Sequence, residues 1–162
     1  MRSGALVTRL DFDEYPLPQF DARIEAAGIP EPALALHKKF SSHDGIFITS
    51  PEYNSFPPPL LLNVLDWLSR IRHYEGGMVE AFERPVFAIS SASHGPLGGY
   101  RGLTVLRQKL ELGLGAMVMP AMAAVGSAHE AVDADGNLKL NERNKMMLDK
   151  AISQLIATTA AR

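Results

Sequence analysis

The run Gly45-Ile46-Phe47-Ile48-Thr49 constrains this chain more than any other stretch. Five apolar or β-branched residues lead directly into Ser50-Pro51-Glu52-Tyr53-Asn54-Ser55-Phe56-Pro57. A leucine-rich stretch follows, from Leu60 to Arg70. A short apolar run bounded by turn residues reads as a buried strand. Leu61, Val64, Leu65 and Leu68 recur at helical spacing, so Pro58–Arg72 reads as a helix. Pro57, Pro58 and Pro59 fit only before that helix or in its first turn. A buried strand that ends in a rigid turn and opens onto a helix is the unit of a parallel α/β sheet. In such sheets ligands bind at the carboxyl ends of the strands.

The rest of the chain repeats this alternation. Ala5–Asp11 reads as a strand, with Leu6 and Leu10 on one face, and Asp13–Asp21 as an extended loop holding Pro16 and Pro18. Pro32–Phe40 reads as a helix. Pro85–Ser90 is a third strand, and Arg101–Leu114 a helix with Leu103, Leu106, Leu110 and Leu114 on one stripe. Ala116–Met119 is a fourth strand and Asp133–Asn137 a turn. Asn141–Ala160 is a final helix whose buried stripe is Leu148, Ala151, Ile152, Leu155 and Ile156. The expectation is one α/β domain over residues 1–162, a three-layer sandwich with four parallel strands.

Composition narrows the function classes. The 162 residues carry a net charge of −2 with scattered basic residues, which argues against a nucleic-acid-binding face. With no cysteine, disulfides, thiolate metal sites and a cysteine nucleophile are excluded. No apolar run approaches the roughly 20 residues that span a bilayer. Met1–Arg9 has no apolar signal core, so a cytoplasmic protein is expected.

Two strand–helix loops could carry chemistry. The Ser50–Phe56 turn offers backbone amides, a carboxylate, a phenol and an amide side chain. A rigid turn of this kind can pack on a flat ring and aim amides at its edge. Asn54 or Ser55 could equally serve as the N-cap of the following helix, and both uses are compatible. The second loop is Ser91-Ala92-Ser93-His94-Gly95-Pro96-Leu97-Gly98-Gly99. Gly95, Gly98 and Gly99 allow close approach of backbone to a flat ligand, but their spacing is wrong for a dinucleotide fingerprint. His94 has no carboxylate near it in sequence to orient it and reads as an exposed loop histidine. The other histidines lack metal-ligand spacing, and no catalytic residue or metal ligand is assigned. Trp67 and the wide apolar surface of the Leu60–Arg72 helix read either as deep burial or as a subunit interface.

These segments resemble the NADPH-dependent FMN reductase family, which has a flavodoxin-like fold and includes quinone, chromate and azo-dye reductases. Three stretches are similar in order: Ser50–Asn54 with Asn63–Arg70, Ser93–Gly99 with Leu106-Arg107-Gln108, and Gly115–Pro120 with Asp135–Leu138. The proline-rich Asp11–Asp21 resembles the loop after that family's second strand. The resemblance implies FMN held between the loops, reduced by NADPH and reoxidised by a small acceptor such as a quinone. Pro51, Glu52, Tyr53 and Asn54 would contact the flavin ring, and Ser93, His94, Gly95, Gly98 and Gly99 would border its far side. The family also pairs subunits through the helix after the first turn, which implies a homodimer or homotetramer through Leu60–Arg72.

The chain departs from the family at its start. Family members begin with a strand, a Gly-Ser-x-Arg type loop that binds the FMN phosphate, and a helix. Met1–Gly4 is too short to supply these, so the first βα unit is expected to be missing and FMN binding by this chain to be weak or absent. Ser55 also stands where many relatives carry glycine. A flavin-free binding or scaffold subunit is the alternative to a flavin-dependent oxidoreductase.

Overall fold

The computed structural model describes residues 4–71, 80–133 and 135–162. Three strands form one parallel sheet in the order β1 (Gly45–Pro51), β2 (Val86–Ala92), β3 (Met117–Val125). The β1–β2 register runs from Gly45 opposite Val86 to Pro51 opposite Ala92. Helices α1 (Ala22–Ala27), α2 (Glu31–Ser41), α3 (Pro59–Ser69), α4 (Glu80–Glu83), α5 (Tyr100–Gln108) and α6 (Glu142–Ala160) flank it. The α/β architecture read from the sequence is therefore the observed one.

The sheet separates two sets of side chains, as the period of two along a strand requires. Ile48, Phe87, Ile89 and Val118 face one side, where they join Leu36 and Phe40 of α2, Leu65 and Leu68 of α3, and Leu103 and Leu106 of α5. Val86, Ala88 and Met119 face the other side, with Phe47 and Leu155 of α6. Strand β2 is buried along six of its seven residues, as a parallel strand covered on both faces should be. Helix α6 crosses all three strands but buries only Asn144 and Ala151. Its expected stripe is thus half-buried, and Ile152 is exposed. One helix on a sheet face leaves its own flanks in water.

Three elements differ from the reading of the sequence. Ala5–Asp11 is not a strand: no ladder bond reaches it, and Leu6 and Val7 are 99% and 87% exposed. Alternating residues form a strand only where a neighbouring edge can take their N–H and C=O groups, and β1 is not bonded to this segment. A side-chain link from Thr8 Oγ1 to His43 Nε2, 2.9 Å, ties it down instead. The expected helix Arg101–Leu114 ends as α5 at Gln108 and continues as a π turn over Lys109–Gly113. Strand β3 runs six residues beyond the expected Met119, through an irregularity opposite Phe87–Ile89 that holds Pro120. The interrupted ladder is satisfied from both faces. Arg107 Nη2 donates to the carbonyls of Met119 (2.5 Å) and Pro120 (3.2 Å), and Gln154 Oε1 accepts from Ala121 N (3.0 Å). The end of the expected helix at Arg72 lies outside the described residues, as does Ala134 of the expected turn. Asp133 accepts from the amides of Asp135 and Asn137, as a turn aspartate does.

The broad apolar face of α3 has an intramolecular explanation. The proline-rich segment folds over it. Trp67 Nε1 donates to Pro18 O at 2.7 Å, and Asn63 accepts from Phe20 N (2.7 Å) while donating to Pro18 O (3.0 Å). The Phe20 ring meets Trp67 edge-on at 5.1 Å, and Arg70 lies over the other ring surface at 4.9 Å. Trp67 is fully buried by its own chain, so its apolar bulk no longer argues for a subunit contact.

Asn63 holds this strap by a donor and an acceptor at once. Asn63→Ala should cost about 1–3 kcal/mol, because Phe20 N loses its partner in a part-buried setting. Trp67 is the only tryptophan, so urea unfolding followed by its emission reads the loss directly. An unchanged midpoint would mean that the strap is held by its apolar contacts and the Trp67–Pro18 bond without help from Asn63.

Candidate functional site

Both candidate loops lie at the carboxyl edge of the sheet, on the adjacent strands β1 and β2. The first is a hairpin closed on itself. Tyr53 N donates to Phe56 O (2.9 Å) and Phe56 N to Tyr53 O (3.0 Å). Asn54 and Ser55 between them have φ of 51° and 68°. Two successive left-handed residues in a two-residue loop make a type I′ turn. Asn tolerates this backbone well, Ser less so. Neither residue caps α3, whose N-cap is Pro58 with no side-chain hydrogen bond. The capping role considered from the sequence is therefore not used. The amides of Asn54 and Ser55 take no hydrogen bond among the described residues, and Tyr53 and Phe56 are both more than half exposed.

Glu52 behaves differently from its neighbours. Its side chain is only 7% exposed, and its carboxylate accepts from Gly102 N (2.8 Å) and Arg101 Nη2 (2.9 Å). Gly102 is the third residue of α5, so the carboxylate satisfies an otherwise unpaired donor of the first turn. The Gly102 N–H, with Arg101 adding to it, holds the Glu52 carboxyl below the usual carboxylate range. Arg101 itself is largely exposed, so the backbone bond is the stronger part of this arrangement.

The glycine loop is locked on its other side to the end of β3. Ser93 N donates to Val125 O, and Ala128 N to Ser93 O, both at 3.0 Å. A Cβ at Gly98 would lie 2.6 Å from Ala124 C and Gly126 N, and one at Gly99 would strike Ser91 Oγ. Both residues also have positive φ. Their missing side chains thus serve the protein's own packing, with both residues buried. Gly95 is more open, its nearest would-be contact being Ser93 Oγ at 3.8 Å. His94 is exposed and lies 5.5 Å from His129, centroid to centroid. Leu97 and Tyr100 continue the exposed apolar edge begun by Tyr53 and Phe56.

The structure thus brings Pro51–Asn54 and Ser93–Gly99 to neighbouring positions on one sheet edge. Arg101, Gly102 and the Val125–His129 segment were missed in the sequence. Nothing in the local pattern marks Gly102 as the partner of a carboxylate 50 positions away. A cavity of about 210 Å³ lies farther along, lined by Gly126, Ser127, Glu130, Lys139, Asn141 and Asn144 among others. None of the expected flavin-contacting residues lines it.

Two outcomes follow from this geometry. Ser55→Gly should stabilise the protein by about 1 kcal/mol, since glycine adopts the left-handed region without a Cβ clash. Thermal denaturation of the pair measures it, and a destabilised variant would mean that the Ser55 side chain holds the turn. Glu52 should contribute an acid-sensitive part of stability. Its folded pKa is depressed, so this contribution is complete above the unfolded glutamate value of about 4.3. It is lost as pH falls through the lower folded value. The stability difference between wild type and Glu52→Gln should be constant above about pH 5.5 and shrink toward pH 3. A difference independent of pH would exclude the carboxylate charge as its cause.

With this arrangement established, comparison with known proteins identifies its class. The family model described as NADPH-dependent FMN reductase matches residues 1–130. A quinone reductase of Escherichia coli strain K12 is 38% identical over 104 residues, covering 64% of this chain and 52% of that protein. The NADH:(hydroxy)cinnamate reductase subunit CrdA of Vibrio ruber is 30% identical over 133 residues, covering 81% and 62%. The chain therefore spans less than two thirds of the length of these two relatives. Among solved structures, the flavoenzyme NAD(P)H:(acceptor) oxidoreductase FerB of Paracoccus denitrificans superimposes with a TM-score of 0.70 at 25% identity. That alignment covers 88% of this chain and 76% of FerB. The chain belongs to the NADPH-dependent FMN reductase family.

Proposed function

We propose that this chain is the ring-binding part of an NAD(P)H-dependent flavin oxidoreductase that reduces a small acceptor such as a quinone. The observation that carries this reading is the pairing of two loops at adjacent carboxyl ends of a parallel sheet, the first tied by Glu52 to the helix that follows the second, with Tyr53, Phe56, Leu97 and Tyr100 exposed. The donor set suits an isoalloxazine ring, which is flat, apolar and bordered by hydrogen-bonding atoms. The amides of Asn54 and Ser55 remain available to it. Pro51, Tyr53 and Asn54 would line one side, with the main chain of Glu52, and Ser93, His94 and Gly95 the other. FMN, when bound, supplies the hydride chemistry. The chain's own residues bind and orient the ring, and no side chain is asked to act as general base.

No Gly-Ser-x-Arg run occurs in the 162 residues, so the FMN phosphate has no loop of the family type here. Charge-assisted hydrogen bonds are each worth roughly 1.5–3 kcal/mol. Losing two of them weakens binding by about two to four orders of magnitude. On this reading the chain alone holds FMN weakly and discriminates little between FMN and riboflavin.

The same reading includes a homodimer or homotetramer through α3, the described part of the segment expected as the Leu60–Arg72 helix. Its support is the exposure of Leu60, Tyr53 and Phe56, each more than half exposed, not the buried Trp67. Among the described residues no helix is long and apolar enough to cross a membrane. A cytoplasmic location, where reduced nicotinamide nucleotides are supplied, belongs to this proposal.

Fluorescence titration with FMN and riboflavin tests the reading. Quenching by both, in the micromolar to millimolar range and within about tenfold of each other, is the expected result, with NADPH oxidation stimulated by benzoquinone. No binding of either flavin at millimolar concentration would leave the flavin-free binding subunit as the better account. Light scattering of wild type and Leu60→Glu tests the oligomer: the variant should shift toward monomer, and a monomeric wild type would exclude it.

A further inference from the structure

Glu52 sits inside the turn expected to face the flavin, yet its carboxylate is spent on α5. That bond closes a chain of contacts across the whole edge. The turn is tied to α5 through Glu52, with Phe56 C only 3.4 Å from where a Cβ of Gly102 would stand. The same Cβ would approach Glu52 Cγ to 3.2 Å, and one at Gly99 would lie 3.4 Å from Glu52 Cβ. A side chain at Gly102 would press on the turn, and one at Gly99 would also strike Ser91 Oγ. From α5 the contact continues through Gly99 and Gly98 to the glycine loop, which is bonded to β3 at Val125. Among the described residues, the two bonds of Glu52 are the side-chain hydrogen bonds joining the turn to α5.

We propose that Glu52 is a positioning residue that locks the Ser50–Phe56 turn to the start of α5, fixing the separation of the two ring-side loops before a flavin enters. The inference rests on the flavin reading for its purpose, but the locking itself is a property of the protein alone. Two acceptor oxygens are needed, one for a backbone N–H and one for a guanidinium. A glutamine supplies one acceptor and turns an amide donor toward Arg101. The exposed Arg101 orients the carboxylate, while the Gly102 N–H carries the attachment. Preorganised loops bind more tightly because less motion is lost when the ligand arrives.

The test uses wild type, Glu52→Ala, which removes both acceptors, Arg101→Gln and Gly102→Ala, with two readouts. Hydrogen exchange on the flavin-free protein should be at least tenfold faster at the hydrogen-bonded amides of Tyr53, Phe56 and Gly102 in Glu52→Ala, with β2 amides unchanged. Arg101→Gln should change the same amides less than threefold. Gly102→Ala adds a better helix former but wedges the turn from the helix. It should speed exchange at Tyr53 and Phe56 while leaving the melting temperature unchanged or higher. Lumiflavin, which carries the ring without a phosphate, should bind at least tenfold more weakly to Glu52→Ala and Gly102→Ala. Affinity lost without stability lost is what a purely structural role cannot produce. The proposal is overturned if Glu52→Ala leaves exchange of the turn unchanged, or if affinity and melting temperature fall together in Gly102→Ala. If wild type binds neither lumiflavin nor FMN, the flavin reading fails, and the exchange data alone decide whether Glu52 locks the loops.

Discussion

Strand β2 is hydrogen-bonded on both sides, and every element near the candidate site is positioned from it. Its parallel register with β1 runs unbroken over seven residues and brings Pro51 level with Ala92. The turn after β1 and the glycine loop after β2 therefore leave the sheet at the same height. Burial of Val86, Phe87, Ala88 and Ile89 anchors that ladder. Each fully buried aliphatic or aromatic side chain is worth roughly 1.5–3 kcal/mol relative to exposure. Loop geometry at the edge is thus set by the most heavily packed part of the molecule.

The two edges of the sheet are built differently. Strand β3 carries a proline and a ladder irregularity, with Arg107 and Gln154 occupying the main-chain groups that the irregularity frees. Proline and broken registers are the usual protections of an edge strand. Strand β1 has an uninterrupted Gly-Ile-Phe-Ile-Thr run with no charge and no proline before Pro51. Its composition is that of an interior strand, although in this sheet it lies at an edge, with Ile46 and Phe47 only half-buried.

At the site, the protein relies on main chain more than on side chains. The turn closes by two backbone bonds, the glycine loop by backbone bonds to β3, and α5 presents a backbone N–H to Glu52. Gly98, Gly99 and Gly102 make these approaches possible because a Cβ at each would meet a neighbour within 3.4 Å. A glycine-rich loop in an α/β protein is readily read as an opening for ligand. Here its first use is to bring three segments of the protein into contact, and any ligand meets a surface already assembled.

Local pattern in the sequence was enough for the parallel α/β class, the strand–turn–helix around Ser50–Phe56, and the placement of two loops on one edge. These depend on periodicity, proline positions and turn residues, which act over a few neighbours and are written in order along the chain. What only the tertiary structure decided are pairings between distant segments. Glu52 finds its partner 50 residues away, and Trp67 is buried by Pro18 and Phe20, 49 and 47 residues before it. Ala5–Asp11 is not part of the sheet for the opposite reason: its residues alternate as a strand should, but among the described residues no strand ladder includes them. A side chain's partner depends on which surfaces the whole fold brings together, and a short window of sequence contains no record of that.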